Sequence, residues 1–205
     1  MQVDLLLILT AALVASASPG PATLALAGTS MASGRRAGLA LAAGITCGSL
    51  AWSVAAALGL GALMLAHGWA FEAIRYAGGA YLLYLAVRSA RAALSTRPMD
   101  PKAIRGGPRV LALRGLALHL TNPKAVLFFG ALYAVGLPPG TAPSDLAIVI
   151  AAVGAQSALV FHGYAPIFST PAATRAYLRA CRVFEAAFAL GFGAAGLRVL
   201  TARLP

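Results

Sequence analysis

Charged residues are scarce in this chain. Only 10% of its 205 residues are Asp, Glu, Lys or Arg, whereas a soluble globular domain typically carries about 25%. Hydrophobic residues make up 60% of the sequence. The low charge excludes an ordinary soluble domain and indicates a protein whose main surroundings are lipid.

Acidic residues and cysteines are especially few, with five Asp and Glu residues and two cysteines. No carboxylates pair within the apolar segments, and neither an HExxH motif nor a nucleophile elbow is present. The sequence therefore predicts no enzyme. Cys47 and Cys181 lie far apart, which predicts neither a disulfide nor a metal site and disfavours a membrane redox carrier. We expect no cofactor.

Long apolar runs dominate the sequence instead. Residues 5–34, 37–71, 125–144 and 146–174 contain no Asp, Glu, Lys or Arg, and a spanning helix needs roughly 20 apolar residues. The predicted fold is an all-α polytopic integral membrane protein. We expect about six transmembrane helices, at about Leu5–Ala27, Leu39–Leu65, Trp69–Val87, Gly115–Val135, Leu146–Phe168 and Val183–Leu197. The N-terminus carries Asp4 and no basic segment, which argues against a cleaved signal peptide.

The basic residues lie mainly in every second connection. They follow the first predicted helix (Arg35, Arg36), the third (residues 88–114) and the fifth (Arg175, Arg179, Arg182). By the positive-inside rule these connections are cytoplasmic and both termini are periplasmic. The net charge of +11 then reflects topology and contact with anionic lipid headgroups. Nucleic acid is the competing partner of a basic chain, and we expect none because the charges lie between spans.

The stretch Arg88–Arg114 is the one obvious linker. It contains "STRPMDPKAIRGGPR", a composition typical of an exposed, mobile connection. It divides a single transporter domain, residues 1–205, into halves of about 1–95 and 108–205. Three spans in each half favour two inverted repeats, and "FEAIRYAG" at 71–78 resembles "FEAAFALG" at 184–191. A homo-oligomer is left open.

Two apolar helices are interrupted by proline at similar predicted depths, roughly 12 Å from their cytoplasmic ends. Proline removes a backbone donor, so carbonyls near Ala15 and Ala17 would lose their partners. Broken helices in membranes line a cavity and meet a polar ligand there. The alternative is a pair of kinks satisfied by Ser16, Ser18 or Thr121. The predicted substrate-binding residues are Pro19, Gly20 and Pro21 at the first break and Asn122, Pro123 and Lys124 at the second.

Four stretches carry a family resemblance: "SPGPATLAL", "SGRRAGLALAAGITCGSLAW", "YAGGAYLLYLAVR" and "RGLALHLTNPKAVLFF". In order and spacing they resemble the signatures of the LysE/RhtB amino-acid exporters, from about Leu5 to the C-terminus. The resemblance implies a bacterial inner-membrane exporter of amino acids or close analogues that works in exchange for protons. Such exporters handle lysine, arginine, threonine, homoserine and its lactone, cysteine or leucine. Ala22 and His119 depart from the Asn or Asp and the Gln or Asn that many members carry there.

The predicted site suits an amino-acid zwitterion. The restarting helices point N-terminal amides at a carboxylate, and Asn122 offers both a donor and an acceptor. A lysine at this depth is expensive, so we expect Lys124 to attract the carboxylate and to disfavour basic substrates. The alternative is that Lys124 snorkels to the headgroups.

Three residues are candidates for proton coupling: His119, His162 and Glu185. Histidine titrates near neutral pH, although a hydrogen-bonded structural role is the plainer interpretation of both. Glu185 could instead form a surface pair with Arg182. A channel or a structural membrane protein is the alternative to a secondary carrier that works by alternating access.

Overall fold

Proline and glycine decide where the helices begin and break. The computed structural model describes residues 3–66, 68–95, 101–138 and 140–201, which form seven helices. Five of these helices begin at a proline, whose fixed φ and missing N–H suit the first helical position. The helices are α1 (Leu5–Ala17), α2 (Pro21–Ala66), α3 (Gly68–Leu94), α4 (Pro108–Leu120), α5 (Pro123–Gly136), α6 (Pro143–Phe168) and α7 (Pro171–Thr201).

Helix α2 contains a second interruption, at Gly34. The backbone there has φ 80° and ψ 174°, a conformation that glycine adopts without a steric penalty. The break separates residues 21–33 from residues 35–66. The first of these segments continues from α1 across the Pro19–Pro21 break, and the second turns back through the bundle.

The helices account for the predicted spans in two ways. Three are long and apolar enough to cross a membrane by length and composition: Pro21–Gly59, Pro143–Phe168 and Pro171–Arg198. Helices α1, α4 and α5 have only 13 or 14 residues each, too few to cross alone. Each is long enough for about half of a span, and α1 leads into residues 21–33 as α4 leads into α5. The all-α polytopic membrane fold predicted from the sequence is confirmed.

Several predicted helix ends are wrong. Helix α7 begins at Pro171 rather than Val183, so Arg175, Arg179 and Arg182 lie on a helix and not in a loop. Helix α3 continues to Leu94 and α4 starts at Pro108, which shortens the predicted linker at both ends. The cause is common to both errors: arginine is a good helix former, and charge alone does not end a helix.

The second part of the predicted mobile linker is docked. Ile104 N donates to Thr29 Oγ1 at 2.9 Å, and a Cβ added to Gly28 would lie within 2.6 Å of the Lys102 backbone. Ile104 also packs against the apolar cluster beneath it. Residues 96–100 lie outside the described residues, as do the terminal residues 1, 2 and 202–205. We call the side of the bundle that carries Gly34 and residues 101–107 the basic face.

Small residues let the helices of the two halves approach closely. A Cβ added to Gly44 would lie 1.8 Å from the Ala112 carbonyl oxygen, and one added to Gly115 would lie 2.3 Å from that of Leu41. Helix α3 packs mainly on α7, and α2 packs on α4 and α6. Large apolar side chains cover the outer surface, such as Leu190 at 77% exposure. Such a surface matches a lipid environment.

Candidate functional site

The two proline breaks meet inside the bundle. Lys124, the second residue of α5, donates a hydrogen bond from Nζ to Ser18 Oγ, at the end of α1. A Cβ added to Gly20 would lie 3.7 Å from Lys124 Nζ. Asn122 caps α5 by accepting from Lys124 N at 3.0 Å. The structure therefore brings the two predicted binding segments together.

The carbonyl groups freed by the first break are not left open. Ala15 O accepts from Ser18 Oγ at 2.9 Å, and Ala17 O accepts from Tyr164 Oη at 3.2 Å. Thr23 Oγ1 donates to Ser18 O at 3.1 Å. Hydroxyl groups therefore satisfy both carbonyls, and of the partners named in the kink alternative Ser18 is the one that bonds to Ala15. Only the Ser18 bond could be expected from the neighbouring sequence.

A cavity opens where the breaks meet, between the two apolar clusters of the core. Its apolar wall includes Ala22, Phe128 and Phe161. The first turns of residues 21–33 and of α5 border it, and at the start of α5 Lys124 N and Ala125 N already donate to the side-chain and backbone oxygens of Asn122. We call it the junction cavity; its polar lining residues are Ser16, Ser18, Thr23, Ser49, His119, Asn122, Lys124 and Ser157.

His119 is the most exceptional polar group in this cavity. Its side chain is only 6% exposed, and neither ring nitrogen has a hydrogen-bond partner within the described part of the chain. The ring lies edge-on to Phe161, with centroids 6.0 Å apart, and Gly48 leaves room for it. A buried polar group without a partner is costly. A structural histidine held by protein hydrogen bonds is therefore not what the structure shows.

Lys124 lies deeper than the sequence predicts. Helices α4 and α5 have 13 and 14 residues, so Lys124 is roughly 20 Å along the broken helix from either end. The predicted depth was too small because the true helix ends, at Gly34 and Pro108, lie nearer the charged connections. A lysine side chain is far shorter than this distance, and it points to Ser18 instead. Snorkelling to the headgroups is not supported.

A second cavity lies on the α3 and α7 side of the same break. Glu185 faces it with only 6% exposure, so the predicted surface pair with Arg182 is wrong. Glu185 shares this cavity with Ser89, Lys124 and Arg88. We call it the charged cavity; its polar and break residues are Pro19, Gly20, Pro21, Arg88, Ser89, Lys124 and Glu185.

His162 and the cysteines are placed away from the breaks. His162 is half-buried, with Nδ1 3.0 Å from the Ala158 carbonyl oxygen one turn earlier on α6. It belongs to neither cavity, which matches the structural alternative. Cys47 is exposed and Cys181 is buried, and both are free thiols.

Several residues that line the two cavities could not be predicted from the sequence. Ser49 and Ser157 share a hydrogen bond of 2.9 Å across the junction cavity, and Arg88 and Ser89 face the charged cavity. Isolated serines in apolar helices commonly bond to their own backbone, so they carry no distinct signal. Arg88 was assigned to a loop, which concealed its place on α3.

A comparison with models of protein families shows which family the chain belongs to. A model described as LysE type translocator matches residues 13–203. The chain belongs to the LysE type translocator family. The resemblance predicted from the proline motifs is therefore confirmed.

Curated relatives cover nearly the whole translocator. The threonine efflux protein of Escherichia coli K12 is 30% identical over 202 residues, covering 92% of this chain and 96% of the relative. The uncharacterized membrane protein YahN of the same organism is 34% identical over 185 residues, or 89% of this chain and 82% of the relative. The threonine efflux protein of Salmonella typhi is 28% identical over 191 residues, which cover 88% of this chain and 91% of the relative. No solved structure matches this chain.

Proposed function

We propose that this translocator exports amino acids across the bacterial inner membrane and binds them where its two broken helices meet. The observation that carries the proposal is the Lys124–Ser18 contact, which joins both breaks at the junction cavity. Relatives named threonine efflux proteins support an amino acid as the substrate. The basic face is cytoplasmic in this account, as the positive-inside rule requires.

The substrate carboxylate binds at the half-helix N-termini beside Lys124. Helix N-termini carry a partial positive charge, and Lys124 adds a full cation in half-buried surroundings that screen it less than bulk water does. The Lys124 cation also disfavours basic substrates, so we expect small neutral amino acids. The apolar cluster around Leu26 and Leu41 lies toward the basic face, and the cluster around Ile8 and Phe129 lies on the other side. Alternating access opens one cluster at a time.

Glu185 is the proton carrier in this account. It is a buried acid beside Lys124, whereas His162 bonds to its own helix and His119 faces the substrate. A proton moving inward through Glu185 drives an amino acid outward. A channel is the alternative. A carrier saturates and supports exchange of labelled for unlabelled substrate, and a channel does neither.

Efflux from cells preloaded with a mixed set of labelled amino acids tests the proposal. The variants are Lys124→Gln and the matched control Lys102→Gln, an exposed lysine outside both cavities, at equal membrane levels. We expect one or a few neutral amino acids to leave faster with the unmodified protein and with Lys102→Gln. Lys124→Gln should return efflux to the level of empty cells. Efflux that survives Lys124→Gln unchanged would contradict the proposed site.

A further inference from the structure

The charged cavity contains opposite charges that face one another without direct contact. Lys124, Arg88 and Glu185 all line it. The ion pair found within 4.0 Å in the described chain is Arg198–Asp4 at 3.5 Å, elsewhere in the bundle. Glu185 is buried, whereas Lys124 is half-buried and Arg88 is exposed at the rim. A buried charge is normally paired, because an unpaired charge is costly away from water. The cavity therefore presents a buried negative charge and two accessible positive charges to a ligand that carries both signs of charge.

The proposed substrate needs an acceptor for its ammonium group that the first break does not supply. The carbonyl oxygens of Ala15 and Ala17 already accept from hydroxyl groups. Among the acidic side chains that the structure describes, Asp4 and Asp145 are exposed and Glu185 is buried. It lies across the charged cavity from the break. A carboxylate accepts a charge-assisted hydrogen bond more strongly than a carbonyl does.

We propose that the charged cavity is a second binding site for the amino-acid zwitterion, with its ammonium group on Glu185 and its carboxylate on Arg88. This inference rests on the proposed function. It adds a site that the substrate occupies before it reaches the junction cavity. Lys124 lines both cavities, so it takes over the carboxylate as the substrate moves toward the junction cavity. Arg88 suits the first contact because its guanidinium can bind a carboxylate through two parallel hydrogen bonds.

At such a site, the substrate ammonium group and a proton compete for the Glu185 carboxylate. The titratable or charged groups around Glu185 are Arg88 on α3, Lys124 on α5, and Tyr177 and Cys181 on α7. Helix α6 contributes Tyr164, whose ring packs on Tyr177. Of these side chains, only the Glu185 carboxylate is negatively charged when ionised near neutral pH. Protonation of Glu185 removes that charge, so the substrate ammonium group loses its partner. Acidification therefore weakens substrate binding.

Equilibrium binding to the purified full chain in lipid nanodiscs tests the site. The probes are labelled L-threonine and N-acetyl-L-threonine, which lacks the ammonium charge. We expect Glu185→Gln to weaken threonine binding by about tenfold or more and to leave N-acetylthreonine binding unchanged. Threonine affinity should fall on acidification in the unmodified protein and not in Glu185→Gln. Asp145→Asn, an exposed acid on α6, is the matched control and should behave like the unmodified protein.

Substitution of Arg88 tests the carboxylate end of the site independently. Arg88→Gln should weaken threonine binding about tenfold or more and should leave the binding of threonine amide, which lacks the carboxylate, unchanged. The control is Arg91→Gln, an exposed arginine one turn further along α3. The inference is overturned if Glu185→Gln binds threonine normally, or if it loses the binding of threonine and of N-acetylthreonine equally. Either result overturns the inference even when Lys124→Gln abolishes binding, as the proposed function expects. If the unmodified protein binds none of the neutral amino acids offered in the efflux test, threonine included, the proposed function and the inference both fail.

Discussion

The Lys124 ammonium donates to the hydroxyl of Ser18, joining residues 106 positions apart at the centre of the bundle. Ser18 precedes Pro19, just after the end of α1, and Lys124 follows Pro123, the first residue of α5. One hydrogen bond therefore joins both interruptions. The contact also holds a cation where the first turns of two half-helices converge. The amino-acid site proposed above depends on this relationship.

Ser18→Ala should destabilise the protein. Ser18 is buried, and its loss leaves the Lys124 ammonium without this partner and frees the Ala15 carbonyl. We expect a cost of about 1–3 kcal/mol, measured as a lower unfolding temperature in detergent. Ser16→Ala is the control, because Ser16 bonds only to the Leu13 carbonyl of its own helix. Equal unfolding temperatures for the two variants would show that the contact is not structurally important.

Pro19→Ala should reduce efflux without reducing stability. Alanine restores a backbone N–H that competes for the Ala15 carbonyl and favours a continuous helix, which closes the break. Pro166→Ala makes the same change inside α6, away from the breaks. We expect transport by Pro166→Ala at the unmodified rate. If Pro19→Ala transports equally well, the first break is only a kink.

His119→Leu should separate stability from transport. The histidine ring has no protein partner in the described residues, so replacing it with an apolar side chain removes a desolvation cost. We expect an unfolding temperature that is unchanged or higher, together with impaired efflux or an altered substrate range. The measurements are thermal unfolding and competition efflux with several neutral amino acids. Lower stability with normal transport would contradict a ligand-facing role.

Gly44→Ala should disrupt helix packing. The added methyl group would meet the Ala112 carbonyl oxygen at 1.8 Å, far inside van der Waals contact, so α2 and α4 must separate. Overpacking of this kind costs about 1–3 kcal/mol. Gly59→Ala is the matched control, because nothing lies within 4 Å of its added Cβ and alanine favours a helix. Membrane yield and unfolding temperature should fall only for Gly44→Ala.

The sequence was most informative where backbone chemistry is local. Proline lacks a donor wherever it stands, so the breaks at Pro19 and Pro123 could be predicted from the residues alone. The same holds for the all-α membrane fold, because the apolar runs are long and uninterrupted by charge. The depth of the breaks could not be predicted, since it depends on helix ends at Gly34 and Pro108 that the charge pattern obscured.

Tertiary contacts account for the other differences. Tyr164 reaches the Ala17 carbonyl from 147 residues away, and no local pattern predicts that bond. Glu185 looked like a surface residue because Arg182 precedes it by one turn, yet α7 turns it toward Ser89 and the charged cavity. Residue type identified His119 as a candidate, but only the fold shows that its ring nitrogens lack partners.

Substrate protection of a single cysteine tests most directly whether amino acids bind at the joined breaks. Ser16 lines the junction cavity, and Ser16→Cys would be labelled with a polar thiol reagent in a background of Cys47→Ser and Cys181→Ser. The control is Ala172→Cys, at the exposed start of α7. We expect L-threonine to slow labelling at position 16 and not at position 172. Labelling that threonine leaves unchanged at both positions, in a protein that still exports it, would contradict the account.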